Sequence, residues 1–193
     1  MITSMYKACE NVIAVTNRTL VEGDYLTQLE KVCSRHPRAL ILREKDLSAA
    51  DYRELAKAVL EICRRAGVAC FLHSHIAIAR ELGCPHLHLS LAGLLQAGDL
   101  SRDFEEISVS CHSREDVEKA LSLGANRIVL GTIFPTDCKP GLTGRGTDFV
   151  REICDMCPLP VYAIGGITFE NLPRILEAGA AGGCMMSAMM KLN

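Results

Sequence analysis

Three things that this 193-residue chain lacks restrict what it can do. It contains no Trp and only 5% aromatic residues, so it offers little material for stacking nucleic-acid bases or for an aromatic belt at a membrane surface. Its formal net charge of −2 provides no overall basic field for nucleic acid or anionic lipid. Its apolar runs are shorter than the ~20 residues that a bilayer span requires. We therefore expect neither a nucleic-acid partner nor a membrane partner.

We also expect no secretion signal. The opening stretch MITSMYKACENVIAVTN lacks the charged start, apolar segment and small-residue cleavage site of a signal peptide, which favours a cytoplasmic location. Several of the ten cysteines lie inside apolar runs, as free buried thiols do in a reducing compartment. Cys154 and Cys157 have CxxC spacing, but they lie at the end of a predicted helix. The sequence therefore favours plain packing over a metal or redox role for this pair.

Short β-rich apolar runs alternate along the chain with stretches of helical pattern. The runs are nearly continuous, as in parallel strands that are covered on both faces. Ser48, Ser113 and Thr168 are predicted to begin three of the helices, and Gly67 to end the first of these. The predicted strands are 12–17, 39–44, 69–73, 86–90, 107–111, 127–134, 161–166 and 182–187.

Eight β/α units predict an α/β protein with a single (β/α)8 TIM-barrel domain over residues 1–193. An open doubly wound sheet would need a Gly-rich fingerprint after the first strand, where RTLVEGDY stands instead. The barrel is short, because typical barrels run to about 250 residues. Only AMMKLN follows the eighth strand, so the last helix is expected to be truncated.

The fold places candidate functional residues at the carboxyl ends of the strands and in the loops that follow them. Glycines after strand 7 and a small residue after strand 8 suggest a phosphate site that uses backbone N–H groups. The alternative is that these glycines only turn the chain. The candidates are Arg43, Lys45, His73, His75, Ser110, His112, Gly165, Gly166 and Ser187.

The histidines permit two interpretations. His73, His75 and His88 could form a metal site, but no carboxylate stands nearby in sequence to complete it, so we expect no metal. His112 ends strand 5 beside the predicted Ser113 cap. An imidazole at that position is suited to moving a proton near neutral pH.

Five motifs resemble the thiamine phosphate synthase/TenI superfamily. They follow one another in the family's order from about residue 38 to about residue 190. The motifs are LREKD, SVSCHSREDVEKALSLGA, GTIFPTDCKPGLTGRG, AIGGITFENLPRILEAGA and MMSAMM. The resemblance implies a TIM barrel and a thiazole phosphate ligand, and members of the family often form homodimers.

Two activities occur in this superfamily, and the resemblance is closer to the TenI-type thiazole tautomerases, which use no metal or other cofactor. Thiamine phosphate synthases instead use Mg²⁺ to hold a pyrimidine diphosphate. The synthase pattern has Gln where this chain has Ile41, an Asn-Asp pair where it has His73 and Ser74, and a metal-binding Asp near Gly93. Mg²⁺ prefers oxygen ligands, which these positions largely lack.

The resemblance also implies residue roles. The family's catalytic histidine falls on His112, and Ser110 on the same strand face is expected to bind substrate. Arg43 and Lys45 are expected to hold the substrate carboxylate. The loop 131–146 is expected to cover the thiazole phosphate and exclude water. Its Thr136 and Lys139 are expected to bind the substrate, as is Gly166, while the phosphate is expected on Gly165, Gly166, Met186 and Ser187.

Three functions therefore remain open at the level of sequence. The first is a thiazole tautomerase, in which His112 moves a proton during aromatisation of a carboxythiazole phosphate. The second is a Mg²⁺-dependent thiamine phosphate synthase. The third is a regulatory barrel that binds thiazole phosphate without catalysis.

Overall fold

The computed structural model describes residues 9–136, 141 and 143–192. In this part of the chain, eight parallel strands form a closed barrel in which each strand pairs with the next and the eighth pairs with the first. The strands are β1 (Val12–Val15), β2 (Ala39–Leu42), β3 (Ala69–His73), β4 (His86–Ser90), β5 (Glu106–Cys111), β6 (Arg127–Gly131), β7 (Val161–Ile164) and β8 (Gly182–Met185).

Helices surround the barrel. They are α1 (Tyr25–Cys33), α2 (Ala49–Ala66), α3 (Ile76–Glu81), α4 (Leu91–Ala97), α5 (Arg114–Ser122), α6 (Gly146–Met156), α7 (Leu172–Glu177) and α8 (Ser187–Met190). A 3₁₀ turn, Arg18–Leu20, follows β1. The predicted TIM barrel is confirmed, and α8 is the short last helix that the sequence predicted. None of the described helices is long and apolar enough to cross a membrane.

Two of the three predicted helix starts are confirmed by their caps. The Ser48 hydroxyl accepts a hydrogen bond from the Asp51 N–H, and the Ser113 hydroxyl accepts one from the Asp116 N–H, both at 3.1 Å. Gly67 ends α2 in the left-handed conformation, with φ of +67°. A left-handed residue of this kind closes a helix, and glycine adopts it without steric cost.

The predicted start at Thr168 is wrong, because α7 begins at Leu172. Thr168 and Asn171 close a turn ahead of the helix, in which the side chain of each accepts the other's backbone N–H. Pro173 is the second residue of α7. Proline is tolerated in a first helical turn but breaks an interior hydrogen bond, so a helix from Thr168 would not have accommodated it.

The core has two layers. The larger layer lies between the helices and the outer face of the barrel. The smaller lies inside the barrel and is built from residues such as Ile13, Ile41, Phe71, Val129 and Tyr162. Buried polar side chains interrupt this inner layer, and they are His88, Ser108 and Arg127.

Arg127 occupies the amino-terminal floor of the barrel. Its Nη2 lies 2.7 Å from Glu106 Oε1, and its guanidinium stands 4.8 Å from the Phe71 ring centroid and 5.2 Å from that of Tyr162. This ion pair and these rings fill the floor, so the site is expected at the opposite end, the mouth formed by the carboxyl ends of the strands.

Candidate active site

The closed barrel brings most of the predicted site residues to one rim. Arg43 follows β2, His73 ends β3, and Ser110 lies near the end of β5. Gly165 and Gly166 follow β7, and Ser187 follows β8. Because the carboxyl ends of all parallel strands meet at one end of the barrel, these side chains surround a common space.

His112 stands directly after β5, with its side chain and backbone held at three points. Its Nδ1 lies 2.6 Å from the carbonyl oxygen of Gly131. Its backbone N–H donates to Asp116 Oδ2 at 2.7 Å, and its carbonyl accepts from Arg145 Nη1 at 2.6 Å. A carbonyl oxygen can only accept, so Nδ1 carries the proton of the neutral imidazole. The Nε2 lone pair of this exposed residue is then available as a base.

The turn after β7 supports the long loop that follows β6. The Phe134 N–H donates to the Gly165 carbonyl at 3.0 Å, and the Asn171 side-chain amide donates to the Gly166 carbonyl at 2.8 Å. Gly166 has φ of +63°, and a Cβ there would lie 2.5 Å from the Pro135 carbonyl oxygen. The turn and the loop therefore touch through backbone, and this contact requires glycine. The anchoring role of Asn171 was not evident from the sequence.

The loop itself is only partly described. Thr136 is half-buried at its start, and Arg145, at its end, stacks its guanidinium 3.5 Å from the Phe149 ring centroid. Lys139, which we predicted to bind substrate, lies outside the described residues.

Two residues after β8 complete the rim. Met186 is half-buried, and Ser187 begins α8. The first N–H groups of a helix have no acceptor within it, so the Ser187 N–H is suited to an external anion. Gly165 and Gly166 follow the neighbouring strand, since β7 pairs with β8.

Two histidines face the inside of the barrel beneath the mouth. His88 Nδ1 lies 2.9 Å from Ser108 Oγ, and His88 Nε2 lies 2.9 Å from Ser110 Oγ. The His73 ring centroid is 5.5 Å from that of His88, and His73 Nδ1 is 2.8 Å from Ser74 Oγ. Ser108 was not identified from the sequence, because its partner is 20 residues away.

Both of these imidazoles are neutral at physiological pH. Burial lowers the pKa of His88 to about 3, with further contributions from the His73 imidazole when it is protonated and from the charges of Arg43 and Arg127. Burial also lowers the pKa of His73 to about 4, assisted by the charges of Arg43 and Lys45. The two cations therefore lie close enough to His73 to influence it, which places positive charge on this side of the mouth.

The metal site considered for His73, His75 and His88 does not form. The His75 ring stacks on Tyr52 with 3.9 Å between centroids. In the described ranges, no three His, Cys, Asp or Glu side chains lie close enough together to hold a metal ion. Cys154 and Cys157 are among the free thiols, as packing residues would be.

The comparisons with known proteins establish the family. Residues 12–189 match the family model described as thiamine monophosphate synthase. The chain belongs to this family. A putative thiamine-phosphate synthase of Geobacter sulfurreducens is 33% identical over 190 residues, which cover 96% of this chain and 89% of that protein. The thiamine-phosphate synthase of Bacillus licheniformis is 33% identical over 175 residues, covering 88% and 78%.

A solved structure supports the same fold. The thiamine phosphate pyrophosphorylase of Pyrococcus furiosus superimposes with a TM-score of 0.81 at 22% identity, covering 97% of this chain and 90% of that one. The family resemblance of the five motifs is thus confirmed, and the chain belongs to a family of thiamine-biosynthetic enzymes.

Among the described residues, the mouth lacks a set of carboxylates that fits the Mg²⁺ that the synthase activity implies. Both carboxylate oxygens of Glu44 accept hydrogen bonds, from Thr16, Tyr25 and the Arg18 backbone, while Asp46 forms two 2.6 Å hydrogen bonds with the Arg18 guanidinium. The carboxylates that follow β2 are therefore committed to the protein. His73, Ser74 and Gly93 supply no carboxylate at the other positions, and a hard cation needs several oxygen ligands.

Proposed function

We propose that this family member is a thiazole tautomerase, which aromatises a carboxythiazole phosphate by moving one proton. The observation that carries the proposal is the orientation of His112. Its Nδ1 is bound to the Gly131 carbonyl, and its Nε2 is left as a base beside the barrel mouth. The described residues offer no carboxylate set for Mg²⁺, which is in accord with a reaction that needs no metal.

The chemistry requires little beyond one base and a well-held anion. His112 Nε2 removes the proton from the ring carbon that bears the carboxylate, and the electron pair moves through the ring to the exocyclic ylidene carbon. The imidazolium then returns the proton to that exocyclic carbon, so no atom is gained or lost and nothing is oxidised. The Gly131 carbonyl stabilises the imidazolium through Nδ1–H throughout.

The remaining predicted residues would hold the substrate. Arg43 and Lys45 would bind its carboxylate from the β2 side of the mouth. The phosphate would lie on the backbone N–H groups of Gly165, Gly166, Met186 and Ser187, between the ends of β7 and β8. Thr136 and Lys139 would contact it from the loop, which would exclude water from the carbanion-like intermediate.

Thiamine-phosphate synthase is the second candidate, and the names of the relatives favour it. Such an enzyme would join a hydroxymethylpyrimidine diphosphate to thiazole phosphate and release diphosphate. The positions at Ile41, His73, Ser74 and Gly93 argue against it, because they differ from the synthase pattern where the diphosphate and Mg²⁺ would be held.

One pair of assays separates these functions. Aromatisation of the carboxythiazole phosphate tautomer is followed by ultraviolet absorbance, and diphosphate release is measured with the two synthase substrates, each with EDTA and with added Mg²⁺. We expect aromatisation that EDTA leaves unchanged, together with no diphosphate release. Diphosphate release that EDTA abolishes and Mg²⁺ restores would establish the synthase. Thiazole phosphate binding with neither reaction would indicate a regulatory barrel.

A further inference from the structure

His88 is held inside the barrel by two hydroxyl groups of the neighbouring strand. It is only 4% exposed, and both ring nitrogens lie 2.9 Å from a serine oxygen of β5. Ser108, the deeper of the two serines, is fully buried, whereas Ser110 reaches the mouth. The three side chains therefore form a hydrogen-bonded row that runs from the core to the substrate space.

The buried Ser108 hydroxyl determines which ring nitrogen of His88 carries the proton. Within the described part of the chain, the Ser108 hydroxyl forms its hydrogen bond with His88 Nδ1 and with no other group. Leaving a buried hydroxyl proton without an acceptor costs free energy, so Ser108 donates to Nδ1. A neutral imidazole carries one proton, which is then on Nε2 and donates to Ser110 Oγ.

Ser110 must then direct its own proton elsewhere. Its oxygen accepts from His88, so its O–H is free to donate into the mouth. Arg43 acts on the same region, since its charge lowers the pKa of both His73 and His88. A hydroxyl donor beside this cation is suited to an anionic oxygen acceptor.

We infer that His88 is a positioning residue, locked by Ser108 in the Nε2–H tautomer, which makes the Ser110 hydroxyl a fixed hydrogen-bond donor to the substrate carboxylate. The inference rests on the proposed function for the identity of the carboxylate. It differs from an ordinary buried histidine, which would satisfy its nitrogens without affecting which ligands bind.

The tautomer can be observed directly. In protein labelled with ¹⁵N-histidine, long-range ¹⁵N–¹H correlation spectra distinguish a protonated from an unprotonated ring nitrogen, and an H88Q variant assigns the His88 signals. We expect a neutral Nε2–H imidazole in wild type. In the S108A variant Nδ1 loses its donor, and we expect a mixture of the two tautomers. A wild-type His88 with its proton on Nδ1, or a charged one, would overturn the inference.

Binding then tests whether the tautomer matters to the ligand. Two probes are compared by calorimetry, the aromatic carboxythiazole phosphate and the thiazole phosphate that lacks the carboxylate. S110A removes the donor, so its affinity for the carboxylated probe should fall by about ten- to a hundredfold, as for a hydrogen bond to a charged group, with little change for the other probe. The affinity of S108A for the carboxylated probe should also fall, but by a smaller factor.

Controls separate the possible failures. S122A removes an exposed hydroxyl that bonds the Lys119 carbonyl on α5, and it should change neither affinity. Thermal melts identify any variant that has lost its fold. S108A with wild-type affinity for both probes, or S110A with equal losses for both, would overturn the inference. A wild type that shows the expected tautomer and affinities but fails to accelerate aromatisation would instead refute the proposed function alone.

Discussion

At the scale of single residues, His112 carries the proposed reaction because its surroundings determine both its tautomer and its position. The Gly131 carbonyl holds Nδ1, while Asp116 and Arg145 hold the backbone on either side of the ring. None of these three contacts involves the basic nitrogen. The residue is thus restrained at every point except the one that must exchange a proton.

Replacing His112 with Asn should remove the base and leave the fold intact. Proton transfer by a positioned side chain typically contributes ~10²–10⁴-fold in rate, which corresponds to ~3–5 kcal/mol of barrier. We expect single-turnover aromatisation to fall by about that factor, while product affinity changes little because other residues make the phosphate and carboxylate contacts.

H36N is the matched control for this substitution. His36 is exposed on the connection before β2, and its φ of +48° suits Asn. H36N should turn over at the wild-type rate. An H112N variant that melts normally and keeps more than roughly half of the wild-type rate would remove His112 as the catalyst.

At the scale of elements, the turn after β7 and the loop after β6 are joined by direct backbone contacts. Gly165 accepts the Phe134 N–H, and Gly166 lies against the Pro135 carbonyl. A change in the turn is therefore transmitted to the loop that is expected to cover the substrate.

The G166A variant tests this coupling. Its methyl group would meet Pro135 and Phe134, so we expect the loop to shift and the affinity for thiazole phosphate to fall at least tenfold. G124A provides the comparison, because Gly124 also has a left-handed φ, of +81°, but open space around its Cβ position. G124A should lose about 1 kcal/mol of unfolding free energy and keep wild-type affinity. Equal affinities for the two variants would contradict the coupling.

Glu44 connects the first two β/α units. Its carboxylate follows β2 and accepts from Thr16 at the end of β1, from the Arg18 backbone and from the Tyr25 hydroxyl of α1. The side chain is 1% exposed, so each of these donors depends on it. Lys45 and Arg43 flank this anchored residue, which helps to fix where both cations emerge.

Glu44→Gln should therefore destabilise the protein markedly. The amide group would turn an N–H donor toward other donors, and we expect a loss of about 2–4 kcal/mol in unfolding free energy measured with urea. D46N removes the neighbouring surface partner of Arg18 and should have little effect, since exposed ion pairs contribute little. A Glu44→Gln protein as stable as D46N would show that the buried network is dispensable.

Part of the fold and of the candidate site could be predicted from the sequence. The bounds of β3 and β4 follow directly from the apolar runs, and His112, Ser110 and Gly166 follow from the rule that barrel sites lie at strand ends. The Ser108–His88 pair and the Glu44 network were not predictable, because their partners lie 19 to 28 residues apart and meet only once strand register is fixed. Thr168 was mistaken for a helix start because a capping turn and a cap share the same residue types.

At the scale of the whole molecule, the buried imidazoles should make the fold sensitive to acid. The pKa values of His88 and His73 are about 3 and about 4 in the folded protein, against 6.5 for the free side chain. The unfolded chain therefore binds more protons between those values and 6.5. The contribution of these two histidines to the free energy of unfolding is fully present above about pH 6.5. It is lost as the pH falls, by at most about 1.4 kcal/mol per pH unit for each histidine.

Chemical unfolding at a series of pH values between 7 and 4.5 measures this slope. H88N should remove about one histidine's share of this slope, whatever its effect on stability at pH 7. An H88N slope equal to that of wild type would mean that His88 is not held neutral in the folded state.

Closure of the sheet also bears on how the chain is made. The strand synthesised first finds its second neighbour only in β8, where Val12 pairs with Gly183. Until that segment has left the ribosome, β1 keeps an open edge with unpaired backbone groups, and such edges invite association with other chains. A contact across some 170 residues also makes for slow folding, because the loop must close before the contact forms. The open edge of β1 therefore stays exposed until residues 182–185 have been synthesised. Their pairing with β1 closes the barrel.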